Sequence, residues 1–131
     1  MSTSSDILQQ YRTEAYTAYE NITGTIIRRP DGSLKDGIGH NDALDAYRHA
    51  YVSAVMTHDY NKFVAHLAGT AHEIRGYSSG SPLAGEQNMD LWNNSKGRDI
   101  GSAAPSRTAI AQNVYNALQN GELITVPADT R

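Results

Sequence analysis

Three short segments carry the residue types that do chemistry. The first is Asp45-Ala-Tyr-Arg-His-Ala50. Residues four apart on a helix lie on one face, so Asp45 can reach His49. A carboxylate on one imidazole nitrogen fixes the tautomer and raises the basicity of the other. That suits a general base or a metal ligand. The same spacing also arises at an ordinary helix start, where an acidic residue and a histidine one turn later need no function. Asp42, one turn earlier, shares nearly the same face.

The second segment is Ala71-His72-Glu73. His66 precedes Glu73 by seven residues and shares its face, while His72 points about 100° away from Glu73 on an ideal helix. This is not the His-Glu-x-x-His zinc motif, because no histidine follows at the required position. A carboxylate at a helix end, just before a polar loop, suits a general acid of raised pKa. The plain alternative is a solvated terminal turn.

The third runs from Met89 through Asp90-Leu-Trp-Asn-Asn-Ser-Lys-Gly to Arg98. Asp90, Asn93, Asn94 and Arg98 recur at three and four, a polar face of acceptors, donors and one cation. Paired asparagines have poor helix propensity, a cost easier to understand if their amides hold something in place. A surface helix, or asparagines that cap neighbouring loops, is the alternative. Trp92, the single tryptophan, reads as core.

Something must position these segments. Ile7, Leu8, Tyr11, Ala15, Tyr19 and Ile22 form one apolar stripe at helical spacing, which predicts a helix over 5–22 with Gly24 just past its end. Residues 25–36 are β-branched and then turn-like, with Pro30-Asp31-Gly32-Ser33 between, which predicts at most a small β-hairpin. Asn41 or Asp42 caps a second helix running to about Thr57. A third is expected from Asp59 or Tyr60 to Arg75, with Gly76 ending it. A fourth covers about Asn88 to Asp99. A fifth follows Ser106, with Ile110, Val114, Ala117 and Leu118 as its buried stripe. Residues 123–126 either form a short strand or pack down without one. The expectation is a mainly α, single domain over 1–131, of about five packed helices. Bundles of this kind build sites from inward side chains on facing helices, so the three segments are expected to converge.

Composition narrows the classes. At 131 residues the chain is one domain. It is too short for a TIM barrel or a two-domain nucleotide enzyme. Eleven basic against fourteen acidic residues give a net charge of −3, which argues against non-specific nucleic-acid binding. The absence of cysteine removes disulfides, thiolate nucleophiles and Cys-ligated zinc. Eight tyrosines and many alanines suggest close-packed helices with aromatic spacers. No apolar run approaches the roughly 20 residues of a membrane span. The opening Met1-Ser-Thr-Ser-Ser-Asp6 lacks the basic and apolar regions of a signal peptide. The chain is expected to be made soluble in the cytoplasm, and to act in the periplasm only after release.

The three segments together resemble a group of small phage and bacterial domains, some at the C-termini of polymorphic toxins. Its pattern is Asp-Ala-aromatic-Arg-His-Ala, then His-Glu, then Met-Asp-Leu-x-Asn-Asn-x-x-Gly-Arg. The match covers about residues 42–100. It implies phage lysis or an antibacterial effector, and it singles out His49, His72, Glu73, Asp90, Asn94 and Arg98. An effector context also implies an immunity or inhibitor protein as partner.

The favoured expectation is a small hydrolase of the bacterial envelope, with peptidoglycan as substrate. Glu73, His49 and Asp90 are its candidate catalytic residues. His49, His72 and Asp90 are candidate ligands of a divalent metal such as zinc, which accepts histidine and carboxylate and keeps a position open for water. Asn94, Arg98 and Arg48 are candidates for binding the substrate's anionic group. A metal-free version is a glycosidase with Glu73 as acid and Asp90 as second carboxylate. Two other classes compete. A metal-dependent nuclease-type toxin would need a basic surface around Arg48, Arg75 and Arg98. A non-enzymatic helical binding module would use the same polar groups as internal networks that fix packing.

Overall fold

The computed structural model describes residues 4–61 and 84–129. Four helices lie within them: α1 (Ser4–Thr23), α2 (Ala43–Asp59), α3 (Ala84–Ala103) and α4 (Arg107–Gln119). Each corresponds to an expected helix. The remaining expected helix, from Asp59 or Tyr60 to Arg75, falls almost wholly outside the described residues. His66, His72, Glu73 and Arg75 lie there too. The mainly α class therefore stands, with four helices rather than about five among the described residues.

The first helix buries its expected stripe: Tyr11 and Ala15 are in the core, with Ile7, Leu8 and Tyr19 packed against it. Gly24 ends it at a φ of 70° and donates its N–H to the Glu20 carbonyl. Such a terminus favours glycine, which has no Cβ to clash in the left-handed region. The capping residues of α2 and α4 are Asp42 and Ser106, whose side chains accept from the backbone N–H of Asp45 and Ala109.

The expected hairpin is not present as strands. One isolated antiparallel bridge joins Arg28 and Leu34, and the turn between closes on Asp31, which accepts from the Ser33 N–H and hydroxyl. Ile26 is 63% exposed. Among the described residues no further strand extends this bridge, and a lone two-stranded pairing is marginal in water. The excursion is anchored at its base instead: Glu20 accepts the Ile27 N–H and pairs with Arg28 at 2.5 Å.

At the centre lies α2, packed against α1, α3 and α4 and most extensively against α3. Tyr47 is fully buried, edge-on to Tyr19 and stacked on Tyr51, and donates its hydroxyl to the Ala111 carbonyl. The aromatic spacers expected from composition thus fill the α1–α2–α4 side. The α2–α3 side is different. A Cβ on Gly97 would lie 2.2 Å from the Ala50 carbonyl oxygen, and one on Gly101 would lie 2.1 Å from that of Ala54. The two backbones touch there, and only glycine allows it. On the outer side, Arg107 bridges Glu14 and Asp59, tying α4 to α1 and to the end of α2.

Residues 123–126 pack down without forming a strand. Leu123 and Ile124 are buried, held by a fully buried asparagine of α3. Asn93 donates its amide to the Ile124 carbonyl and accepts the Ile124 N–H, both at 2.8 Å. Trp92, half-buried rather than central, donates its indole N–H to the Glu122 carbonyl and carries Lys96 over its ring. Among the described residues no helix is long and apolar enough to cross a membrane.

Candidate functional site

The glycine seam decides which side chains meet. Because α2 and α3 approach to backbone contact at Gly97 and Gly101, the side chains one and two turns toward the N-terminus of α3 are brought against those of α2. There Asp45 and His49 project from α2, and Glu86, Asp90 and Asn94, spaced by four, project from α3.

His49 lies between two carboxylates. Its Nε2 is 3.4 Å from Asp45 Oδ1 and 3.3 Å from Asp90 Oδ1. Its Nδ1 is 3.2 Å from Asn94 Oδ1, which also accepts the Ser53 hydroxyl. An amide oxygen only accepts, so Nδ1 carries a proton and Nε2 is the nitrogen turned to the carboxylates. Side-chain exposure is 4% for Asp45, 12% for His49 and 16% for Asp90.

Asp45 is held from three directions. Its Oδ2 accepts the Asn41 N–H at 2.7 Å, its Oδ1 pairs with the Arg48 guanidinium, and Asp42 fixes the helix start beneath it. Asn41 adopts a φ of 54°, a left-handed conformation that asparagine tolerates better than most residues. That conformation presents its N–H to Asp45, while its side chain donates to Glu86 at 2.7 Å. Asp90 is held less: its Oδ1 is buried and accepts no hydrogen bond among the described residues.

These surroundings split the two carboxyls. Burial works to raise Asp45, but the hydrogen bond and charge of His49, the charge of Arg48 and the Asn41 N–H outweigh it and hold Asp45 below the usual range. Asp90 is pushed up, first by burial and then by the charges of Asp45 and Glu86, against His49 and Arg48. For His49, burial pulls down, yet the bond to Asp45 and the charge of Asp90 carry it above its ordinary value. Two carboxyls driven in opposite directions around one imidazole is how acid and base roles are separated in one site.

The expected site residues are sorted as follows. His49 and Asp90 come together as anticipated. Asp45, expected only to orient His49, supplies the third ligand-type atom: Asp45, His49 and Asp90 each offer one within 4.8 Å of the others. Its signal was present as the spacing Asp-x-x-x-His. His72 and Glu73 lie outside the described residues. Arg48 does not face outward to bind substrate. It spends its guanidinium on Asp45, the Tyr16 hydroxyl and the Gly39 carbonyl, which also removes one arginine from the basic surface a nuclease would need. Asn94 is 4% exposed and occupied with His49 and Ser53, so it positions the imidazole rather than contacting a substrate. Arg98 is half-buried and makes no hydrogen bond or ion pair among the described residues. Burial lowers its pKa. It lies two turns beyond Asp90, about 12 Å along the helix. Glu86 was missed, although its spacing of four from Asp90 is legible.

Comparison with known proteins places the chain in a family. A family model described as "Domain of unknown function (DUF6973)" matches residues 7–122, and the chain belongs to that family. The match runs from within α1 through α4 and includes every residue of the cluster. No solved structure matches the chain.

Proposed function

We propose that the chain is a small hydrolase of the bacterial cell envelope, with peptidoglycan as its polymer and Asp45, His49 and Asp90 as its reaction centre. One observation carries the hydrolytic part: a buried imidazole of fixed tautomer aims Nε2 between two carboxylates whose proton affinities are driven apart. A carboxylate held ionised beside that imidazole can take a proton from a water placed between them, which is general-base catalysis. Glu73, the acid expected from the sequence, is the carboxyl proposed to return a proton to the leaving group. Arg98, which makes no hydrogen bond or ion pair among the described residues, is a cation available for an anionic group further along the substrate. The envelope part rests on the resemblance of the three segments to phage and toxin domains.

The test is turbidity of outer-membrane-permeabilised Gram-negative cells after addition of purified protein, followed by product analysis with and without EDTA. Clearing by the wild type and none by a folded His49→Gln supports the reading. No clearing by folded wild type overturns the envelope assignment.

A second reading has its own observation. Asp45 and Arg48 satisfy one another and the Asn41 loop inside the fold, as a packing network of a non-enzymatic binding module would. That reading requires His49→Gln to lose the fold rather than an activity.

A further inference from the structure

We infer that Asp45, His49 and Asp90 bind a single divalent transition-metal cation, zinc by their chemistry, with Asn94 as the residue that orients the histidine ligand. The inference deepens the hydrolase reading and rests on it for the cation's use, while the binding itself is measured without substrate.

Three observations support it. First, the ring orientation is the one a metal requires: Asn94 holds the proton on Nδ1, so Nε2 is the nitrogen directed between the carboxylates, and a metal would take the place of its proton. Second, the spacing fits. Ligand bonds of about 2.1 Å at tetrahedral angles put neighbouring ligand atoms roughly 3.4 Å apart, and the two His49–carboxylate edges are 3.3 and 3.4 Å. The three ligand atoms all lie within 4.8 Å of one another, and imidazole nitrogen with carboxylate oxygen is a donor set zinc accepts. Third, Asp90 Oδ1 is sealed from solvent and accepts no hydrogen bond among the described residues, and its neighbour is His49 Nε2 at 3.3 Å, whose proton a cation would replace.

Charge points the same way. Among the described residues Asp45 and Asp90 share the charge of Arg48, with Glu86 beside them, so the cluster stays net negative once His49 takes the neutral form a metal binds. Asp45 has the outer support expected of a ligand, from Arg48 and the Asn41 N–H. Among the described residues three ligands are supplied, and three protein ligands with a fourth tetrahedral position for water is the arrangement of catalytic rather than structural zinc.

The experiment is calorimetric titration of the chelator-treated full chain with zinc chloride at pH 7.5, with circular dichroism as the folding control. One zinc per chain is expected. Asp90→Asn and Asp45→Asn should each weaken binding at least tenfold, and Asn94→Ala roughly tenfold. Nitrogen-15 spectra of the wild-type histidines supply a readout that does not depend on any variant folding: zinc should shift His49 Nε2 while Nδ1 stays protonated. Folded wild type that takes up no zinc, uptake undiminished in folded Asp90→Asn, or unmoved His49 resonances would each overturn the inference. Zinc binding without envelope clearing would sink the hydrolase reading alone. Clearing that EDTA spares, by a chain that binds no zinc, would sink the metal alone.

Discussion

Replacing Gly97 by alanine sets two terms of opposite sign against each other. Helix propensity favours the change by about 1 kcal/mol at a mid-helix position. Packing opposes it, because the new methyl would sit 2.2 Å from the Ala50 carbonyl oxygen, with the Ala50 carbonyl carbon and Cα at 2.8 Å. Those are backbone atoms of a buried helix and cannot swing away. Ordinary contact begins near 3.4 Å, so α3 must retreat from α2 by about 1 Å along the whole seam. Overpacking of this kind costs typically about 1–3 kcal/mol, and here it meets backbone, so the upper end applies. The net expectation is a loss of about 2 kcal/mol, or roughly 6–10 °C in Tm for a domain of this size. The same retreat lengthens the 3.3 Å His49–Asp90 approach by a comparable distance and should abolish zinc uptake even where the variant folds. Urea denaturation and zinc titration read the two consequences, with Ser95→Ala as the exposed control on the same helix. A Gly97→Ala protein more stable than wild type, with the site intact, would refute the claim that backbone contact sets this helix pair.

Three further expectations follow from the same structure. Asn93→Ala leaves the buried Ile124 N–H and carbonyl without partners, and should cost about 2–4 kcal/mol by denaturant titration; a loss below about 0.5 kcal/mol would show that the tail rearranges freely. In chelator-treated protein the folded-state pKa of His49 is raised, so its contribution is fully present below the unfolded value near 6.5 and is lost as pH rises through the folded value. Stability should therefore fall from about pH 6.5 upward, and His49→Gln should flatten that slope; an unchanged slope would contradict the environment assigned to His49. Glu73→Gln should abolish envelope clearing while leaving helicity and Tm nearly unchanged, and retained clearing would remove Glu73 from the reaction.

The helices were legible because their apolar stripes and caps are local signals. The Tyr11–Ala15–Tyr19 stripe, the Asp42 and Ser106 caps and the end at Gly24 depend on neighbours within a turn or two. The pairing of Asp45 with His49 was legible for the same reason. What escaped the sequence is non-local. Nothing in Arg48 itself says that it turns inward to Asp45, since a guanidinium beside a histidine reads equally well as a substrate clamp. The two adjacent asparagines looked like one polar face, yet a helix turns 100° per residue. Asn93 therefore meets the tail while Asn94 meets His49. Gly97 and Gly101 read as weak points in a helix until the carbonyls of Ala50 and Ala54 are set against them. For residues 25–36 the sequence left a small hairpin and an irregular excursion open, because a turn sequence fixes a bend without supplying a surface on which strands can pair; one isolated bridge forms there.

The clamp made by Asn93 also bears on the order in which the fold is assembled. Its amide imitates one rung of a sheet edge, offering a donor and an acceptor to a single residue, Ile124. Until residues 122–124 arrive, that rung is open at the heart of α3, beside Met89 and under the place where Leu123 will lie. The α2–α3 pair can nucleate on its glycine contact, but it does so with a polar group facing an uncovered apolar surface. The tail is thus part of the interior rather than an appendage to it: displacing residues 122–124 would strip the amide of Asn93 of both its bonds and expose Leu123 and Ile124.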